Sequence, residues 1–194
     1  MQNGNQREQV DRSRRGLLKA AAACATSLIV PQALSAQALS VRGKKVRELA
    51  FYGLHTGESL HTPYWEEGHY LPEALKAVDF ILRDHRTSEV SRIDPALLDL
   101  LWAMQQSVEG LDRQRAFHVI SGYRSPSTNK ALRASSNGVA KYSLHQVGKA
   151  IDIRLPGNSI GQLRKAAVAL EQGGVGYYPR SDFVHVDTGR VRYW

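Results

Sequence analysis

Ser143-Leu144-His145-Gln146-Val147-Gly148-Lys149-Ala150-Ile151-Asp152 and, further on, Phe183-Val184-His185-Val186-Asp187 are the two stretches that decide how this chain folds and what it does. Gly148 allows a tight turn after His145, and Lys149 to Leu155 then alternates like a β-strand. Ile151, Ile153 and Leu155 share one face of that strand, so Ala150, Asp152 and Arg154 share the other. In the second stretch Val184 and Val186 point one way, His185 and Asp187 the opposite way. A lone histidine is more often a hydrogen-bonded structural residue than a ligand. Two imidazoles and a carboxylate together are what a catalytic zinc site needs, because a hydrolytic zinc site uses three such ligands and keeps its fourth position for water, and Asp152 can point toward a metal held by the loop that carries His145. His145, Asp152 and His185 meet that count.

Working outward, Val46 to Leu54 and Glu58 to Trp65 read as strands joined at Thr56-Gly57. Pro72 to Arg86 reads as a helix with Leu71, Leu75, Val78, Ile81 and Leu82 as its apolar stripe. Asp94-Pro95 is a helix start, with Asp as cap and Pro in the first turn, and Leu97, Leu98, Leu101 and Met104 carry the buried face to about Glu109. Ala116 to Ile120 is a short strand entering the Ser121-Gly122-Tyr123-Arg124 turn. Ser127 can cap a helix through Arg133, and Ser159 to Gln172 is a further helix closed by Gly173. Strands near 174–178 and 183–188 complete an α+β domain in which helices flank a small, mainly antiparallel sheet.

The motif Ser143-x-His145-x-x-Gly148-x-Ala150-x-Asp152 resembles, position for position, the zinc motif of the LAS metallopeptidases, the group that includes D-Ala-D-Ala peptidases and the hedgehog fold. Ser121-Gly122-Tyr123-Arg124-Ser125, Gly138-Val139-Ala140-Lys141, Gly173-Gly174-Val175-Gly176-Tyr177-Tyr178-Pro179 and Phe183 to Gly189 narrow the likeness to its murein endopeptidase K family. Leu54-His55-Thr56-Gly57-Glu58-Ser59 and the closing Tyr193-Trp194 are similar too, so the resemblance spans about residues 46 to 194. It implies a LAS/hedgehog-like domain holding one zinc ion per chain on His145, Asp152 and His185. It also implies hydrolysis of peptidoglycan cross-links, either D-alanyl-diaminopimelate or diaminopimelate-diaminopimelate bonds, during growth or remodelling of the wall.

A peptidase of this kind needs a cation for the oxyanion and a base for the water. Arg124, at a strand-to-turn junction, is the candidate cation, its rival role being a structural pairing with a carboxylate. Asp182, three residues before His185, and Asp187, on the same strand face as His185, are the candidate bases; Asp187 is equally a candidate to orient a ligand imidazole. Ser143 shapes the loop before His145 or meets substrate, and Tyr123, Tyr177, Tyr178 and Trp194 are candidates for the wall of the cleft. His55, His61, His69, His85 and His118 lack ligand spacing with a matching acid and read as structural. A carboxypeptidase trimming stem peptides and a silent zinc- or wall-binding module are the alternative readings.

The N-terminus carries Ser13-Arg14-Arg15-Gly16-Leu17-Leu18-Lys19 ahead of an Ala-rich apolar run to Val30, with Ala36-Gln37-Ala38 as a cleavage site. This resembles a twin-arginine export signal over residues 1–38, followed by a peptidase domain over 39–194. The expected partners are the twin-arginine translocase during export and peptidoglycan stem peptides afterwards, in the periplasm and with no membrane span once the signal is removed. The only cysteine, Cys24, lies in the signal, which removes disulfides and thiol chemistry from the mature chain. The net charge is +8, and five basic and two acidic groups lie in the first 38 residues, leaving +5 for the domain. That moderate excess suits attraction to an acidic wall polymer; without a recognised binding motif it excludes nucleic acid as the expected partner.

Overall fold

The computed structural model describes residues 46–107, 115–136 and 138–194. The expected export signal and the expected helix end at Glu109 lie outside the described residues. Eight strands form one sheet: β1 (Val46–Gly53), β2 (Ser59–Glu66), β3 (His69–Tyr70), β4 (Phe117–Ser121), β5 (Ala150–Arg154), β6 (Gly174–Tyr178), β7 (Phe183–Asp187) and β8 (Arg192–Tyr193). Their order is β3-β2-β1-β4-β5-β7-β6-β8, antiparallel except for β1 with β4 and β6 with β8. The sheet is therefore mainly antiparallel, as expected, and wider than the strands visible in the sequence. The helices among the described residues are α1 (Pro72–Ile81), α2 (Pro95–Ser107), α3 (Pro126–Ser135) and α4 (Ile160–Leu170). None of these is long and apolar enough to cross a membrane.

Strand alternation sorts the two faces. Leu49 and Phe51 of β1, Phe117 and Val119 of β4, Ile151 and Ile153 of β5, Val175 of β6, and Val184 and Val186 of β7 join one hydrophobic cluster with Val78 of α1, Leu97 and Leu101 of α2, and Leu163 and Ala167 of α4. Burial of these side chains, each contributing about 1.5–3 kcal/mol on leaving water, fixes the register. The residues between them, Asp152 on β5 and His185 and Asp187 on β7, are consequently presented on the face away from that cluster.

The helices depart from their sequence-based limits for local reasons. α1 stops at Ile81, not Arg86: the Leu82 carbonyl accepts from the Tyr123 amide (2.7 Å) at a point where Gly122 lies so close that a Cβ would sit 2.4 Å from that oxygen. α3 is capped by Ser125, whose hydroxyl accepts from the Thr128 amide, and Ser127 instead bonds to that hydroxyl. α4 begins with a capping box of Ser159 and Gln162, as Ser159 predicted, but Glu171 takes the left-handed closing position at φ 50°. Gly173 serves a different purpose there, because a Cβ on it would collide with the Asp187 carbonyl. Asp94 caps α2 through the Ala96 amide (3.0 Å), and its second oxygen accepts from Thr188 Oγ1 (3.0 Å). That bond ties the start of α2 to the residue following β7.

Candidate metal centre

β5 and β7 pair so that Asp152 stands directly opposite His185. His145 comes from a 3-10 turn, Leu144–Val147, capped by Ser143 Oγ, which accepts from the His145 amide (3.4 Å). Gly148 ends the turn at φ +66°, and a Cβ there would lie 2.0 Å from the Arg92 carbonyl oxygen, so both the backbone angle and the space demand glycine. The three expected ligands are thus brought together: His145 Nε2, His185 Nδ1 and Asp152 Oδ1 lie 3.2, 2.9 and 3.3 Å from one another.

The opposite edge of each ring decides which nitrogen faces this point. His145 Nδ1 is 2.7 Å from the Gly122 carbonyl, which only accepts, so Nδ1 carries the hydrogen. His185 Nε2 is 2.9 Å from Asp187 Oδ2 and donates to it. Three lone pairs therefore converge, and a proton or a metal cation between them is what satisfies all three. A tetrahedral zinc ion with Zn–N of about 2.0–2.1 Å would hold its donors about 3.3 Å apart, close to the separations found. Among the described residues this is the group of His, Cys, Asp and Glu whose geometry fits a metal.

The surroundings set the charge states. Burial keeps His145 below its ordinary pKa and hence neutral, as a ligand must be. Burial also works against charge on His185, but Asp152 and Asp187 outweigh it and raise its pKa, so a proton competes with a cation for Nδ1. Burial would raise Asp152, yet the two imidazoles hold its carboxyl well below the usual range.

Arg124 is buried beside the triad, with Nη2 donating to Asp152 Oδ2 (2.8 Å) and Nε to Ser121 Oγ (3.2 Å). Asp187 is fully buried and its oxygens are filled: besides His185 they accept from Arg192 Nη2 (2.6 Å) and Nη1 (3.0 Å) and from the Gly174 and Gly189 amides. Asp182 is placed differently. Its carboxylate is exposed and takes Arg154 Nη1 at 2.7 Å, and its neighbours Ser181 and Phe183 line the cleft while it does not.

That cleft, about 400 Å³, is open to solvent and lined by His145, Asp152, His185, Arg124, Ser143 and Tyr178 together with Arg192, Trp194 and the 138–142 loop. Asp152 is the one acid among the described residues of its lining. Trp194 and Tyr178 are in the wall as expected, whereas Tyr123, which packs against the hydrophobic cluster, and Tyr177 are not. The remaining histidines stay apart from the triad: His55 stacks on His85, His118 lies against Tyr52, and His61 faces Glu48.

Three contributors escaped the sequence reading: the Gly122 carbonyl, Arg192 and Asp84. Asp84 Oδ2 accepts from the Ser125 amide (2.8 Å) and Oδ1 from the Arg86 amide (2.9 Å), clamping the chain after α1 to the turn that carries Arg124. Burial would raise its pKa, but hydrogen bonds from Thr128, Arg86 and Ser125 prevail and lower it to about 2. A carboxyl depressed on folding stabilises the fold above its unfolded pKa and loses that contribution as pH falls through the folded value. We expect about 2 kcal/mol of stability to disappear between about pH 4 and pH 2 through this group. Urea unfolding across that range should show the loss in the parent chain and a flatter profile in Asp84→Asn; parallel profiles would contradict the assignment.

Residues 41–194 match a family model described as peptidoglycan L,D-endopeptidase MepK. Similar proteins of that name come from Escherichia coli K12 and Shigella flexneri, each 40% identical over 187 residues that cover 96% of this chain and all of the relative. A probable peptidoglycan L,D-endopeptidase MepK of Haemophilus influenzae is also 40% identical, over 95% of this chain and 97% of its own. No solved structure matches the chain. With a converging His145-Asp152-His185 triad at the floor of its cleft and a family match across the whole described domain, the chain belongs to the MepK family of peptidoglycan endopeptidases.

Proposed function

We propose that the chain is a periplasmic zinc endopeptidase that opens the diaminopimelate-diaminopimelate cross-links of peptidoglycan, with His145, Asp152 and His185 holding the ion. Membership of the family makes it a peptidoglycan endopeptidase; the metal, the bond and the compartment are the finer reading. The observation that carries the metal is the convergence of three lone pairs within 3.3 Å, each ring being fixed from behind by an acceptor. The relatives are named L,D-endopeptidases, and of the two cross-links considered, only the one between diaminopimelates joins an L centre to a D centre. Export through the twin-arginine translocase would place the enzyme beside this substrate.

Bound zinc would supply an acidified water and a polarised carbonyl. The protein's own part is to position and to charge. Asp187 holds His185 in the tautomer that turns Nδ1 inward, and Arg192 and two backbone amides in turn hold Asp187. Arg124 anchors Asp152 from the far oxygen and leaves a fixed positive charge at the cleft, favourable to an oxyanion developing there. Ser143 fixes the His145 turn. Asp182, engaged with Arg154 on the exposed rim, is assigned to shaping the turn between β6 and β7 rather than to taking a proton.

The test is the muropeptide profile of purified sacculi digested by residues 39–194, with zinc, with chelator, and as His185→Ala. Zinc-dependent conversion of cross-linked dimers to monomers, lost in His185→Ala, is the expected result. Shortened stems with intact cross-links would mean a carboxypeptidase. An unchanged profile from protein that retains zinc would mean a binding module.

A further inference from the structure

Trp194 and Tyr178 meet at the edge of the cleft in a way that fixes a proton. The indole Nε1–H donates to the Tyr178 hydroxyl oxygen at 2.8 Å. An indole nitrogen can only donate, whereas a phenol has one hydrogen and acceptor lone pairs, so the oxygen is here the acceptor and its own hydrogen must be given elsewhere. Tyr178 is thereby set as a donor, and both residues line the cleft that holds His145, Asp152 and His185.

The surroundings are arranged to keep this pair in place. The Tyr178 ring stacks on Phe183, with centroids 4.5 Å apart and an 18° tilt. Trp194 lies beside His185 (5.3 Å between ring centres) and under the Arg192 guanidinium (4.9 Å). Its backbone is tied to β6 in both directions, Tyr177 N to Trp194 O (2.9 Å) and Trp194 N to Val175 O (3.2 Å). Gly176, paired with His185 across the ladder, leaves the space: a Cβ on it would lie 2.8 Å from both the Trp194 and Tyr178 rings. An indole beside a ligand histidine, over a glycine opposite that histidine, holds the phenol in the cleft lining that it shares with His145, Asp152 and His185.

Two arginines also face this wall, but Arg124 spends Nη2 on Asp152 and Nε on Ser121, and Arg192 spends both Nη atoms on Asp187. We propose that the Tyr178 hydroxyl donates a hydrogen bond to the scissile carbonyl oxygen as it becomes an oxyanion, and that Trp194 is the positioning residue that orients it. Tyr178 keeps its proton throughout. This rests on the peptidase reading of the site above.

Tyr178→Phe removes the donor and Trp194→Phe removes the orienting N–H while keeping a ring. On a soluble cross-linked muropeptide dimer, Tyr178→Phe should lower kcat by about 10²-fold, the effect of losing one oxyanion donor, with KM nearly unchanged. Trp194→Phe should cost less, and the double variant should be no worse than Tyr178→Phe, since the indole acts through the phenol. Two measurements do not depend on turnover. In a ¹⁵N–¹H spectrum the Trp194 indole resonance should shift and exchange faster in Tyr178→Phe. Binding of a phosphinate dipeptide, which mimics the tetrahedral oxyanion, to the zinc-loaded protein should weaken by a similar factor, with binding of the corresponding peptide product unchanged. If the parent chain fails to cut the dimer, the endopeptidase reading falls, and the phosphinate comparison still decides the role of Tyr178. Equal weakening for phosphinate and product, a loss confined to KM, or additive effects of the two substitutions would each overturn the proposal.

Discussion

Replacing Asp152 by Ala should abolish metal binding and also unsettle the fold. The carboxylate gives one oxygen to the triad and the other to Arg124, which is buried. Removing one partner of a buried ion pair costs about 3–5 kcal/mol, because the surviving charge is left without compensation. For a domain of this size that is a fall of roughly 10 °C in Tm. Metal analysis of the purified protein and a thermal melt read the two consequences separately. Adding Arg124→Met removes the stranded charge, so the double variant should regain much of the stability and none of the metal. Full zinc content in Asp152→Ala would remove this residue from the ligand set.

The second large effect is expected at Asp187, which never reaches the cleft. Asn in its place offers one acceptor oxygen where two are filled, and it sets an NH₂ group against donors from His185, Arg192 or the Gly174 and Gly189 amides. Partners that orient a metal-binding histidine are worth about 10–100-fold in metal affinity or activity, and we expect a loss of that order. Competition with a chelator of known zinc affinity measures the first quantity, dimer cleavage the second. Asp182→Asn is the control. Its carboxylate is exposed and pairs with a half-buried arginine at the surface, an interaction worth about 0–1 kcal/mol, so activity should stay within a few-fold of the parent. Should Asp182→Asn prove the more damaging of the two, the division of labour between these acids would have to be reversed.

The ligand triad was legible because its information is local. A turn glycine and two strand alternations give the directions of Asp152 and His185, and the resemblance of the Ser143-to-Asp152 motif to the LAS peptidases adds His145; that the two strands are neighbours comes from the structure. The same rule placed Asp187 beside His185, but a period of two cannot say how a carboxylate is saturated; that depends on Arg192 and on the amides of Gly174 and Gly189. Gly122 supplies a main-chain carbonyl, and a carbonyl has no side-chain signature to read. Asp84 and Ser125 meet across forty-one positions of sequence. The apolar stripe after Pro72 predicts too long a helix for a related reason: it includes Leu82, while the bond at the helix end comes from Tyr123, outside that helix. Arg124 was found by its position at the end of a strand, yet its pairing with Asp152 emerges only from the packing of the turn after β4 against β5.

The ligands differ in how firmly the scaffold holds them. Asp152 and His185 are a cross-strand pair, and one cannot shift against the other without slipping the ladder and turning Val184, Val186, Ile151 and Ile153 out of the core. His145 sits on a short turn held from outside the ladder, by the Ser143 cap, left-handed Gly148, the Gly122 carbonyl, and backbone bonds from the Arg124 amide to the His145 carbonyl (3.1 Å) and from the Asp94 amide to the Gly148 carbonyl (2.9 Å). The centre thus has one half set by sheet register and one half set by a turn. An engineer who wished to alter its metal preference could vary position 145 and the turn around it while the sheet preserved the other two donors.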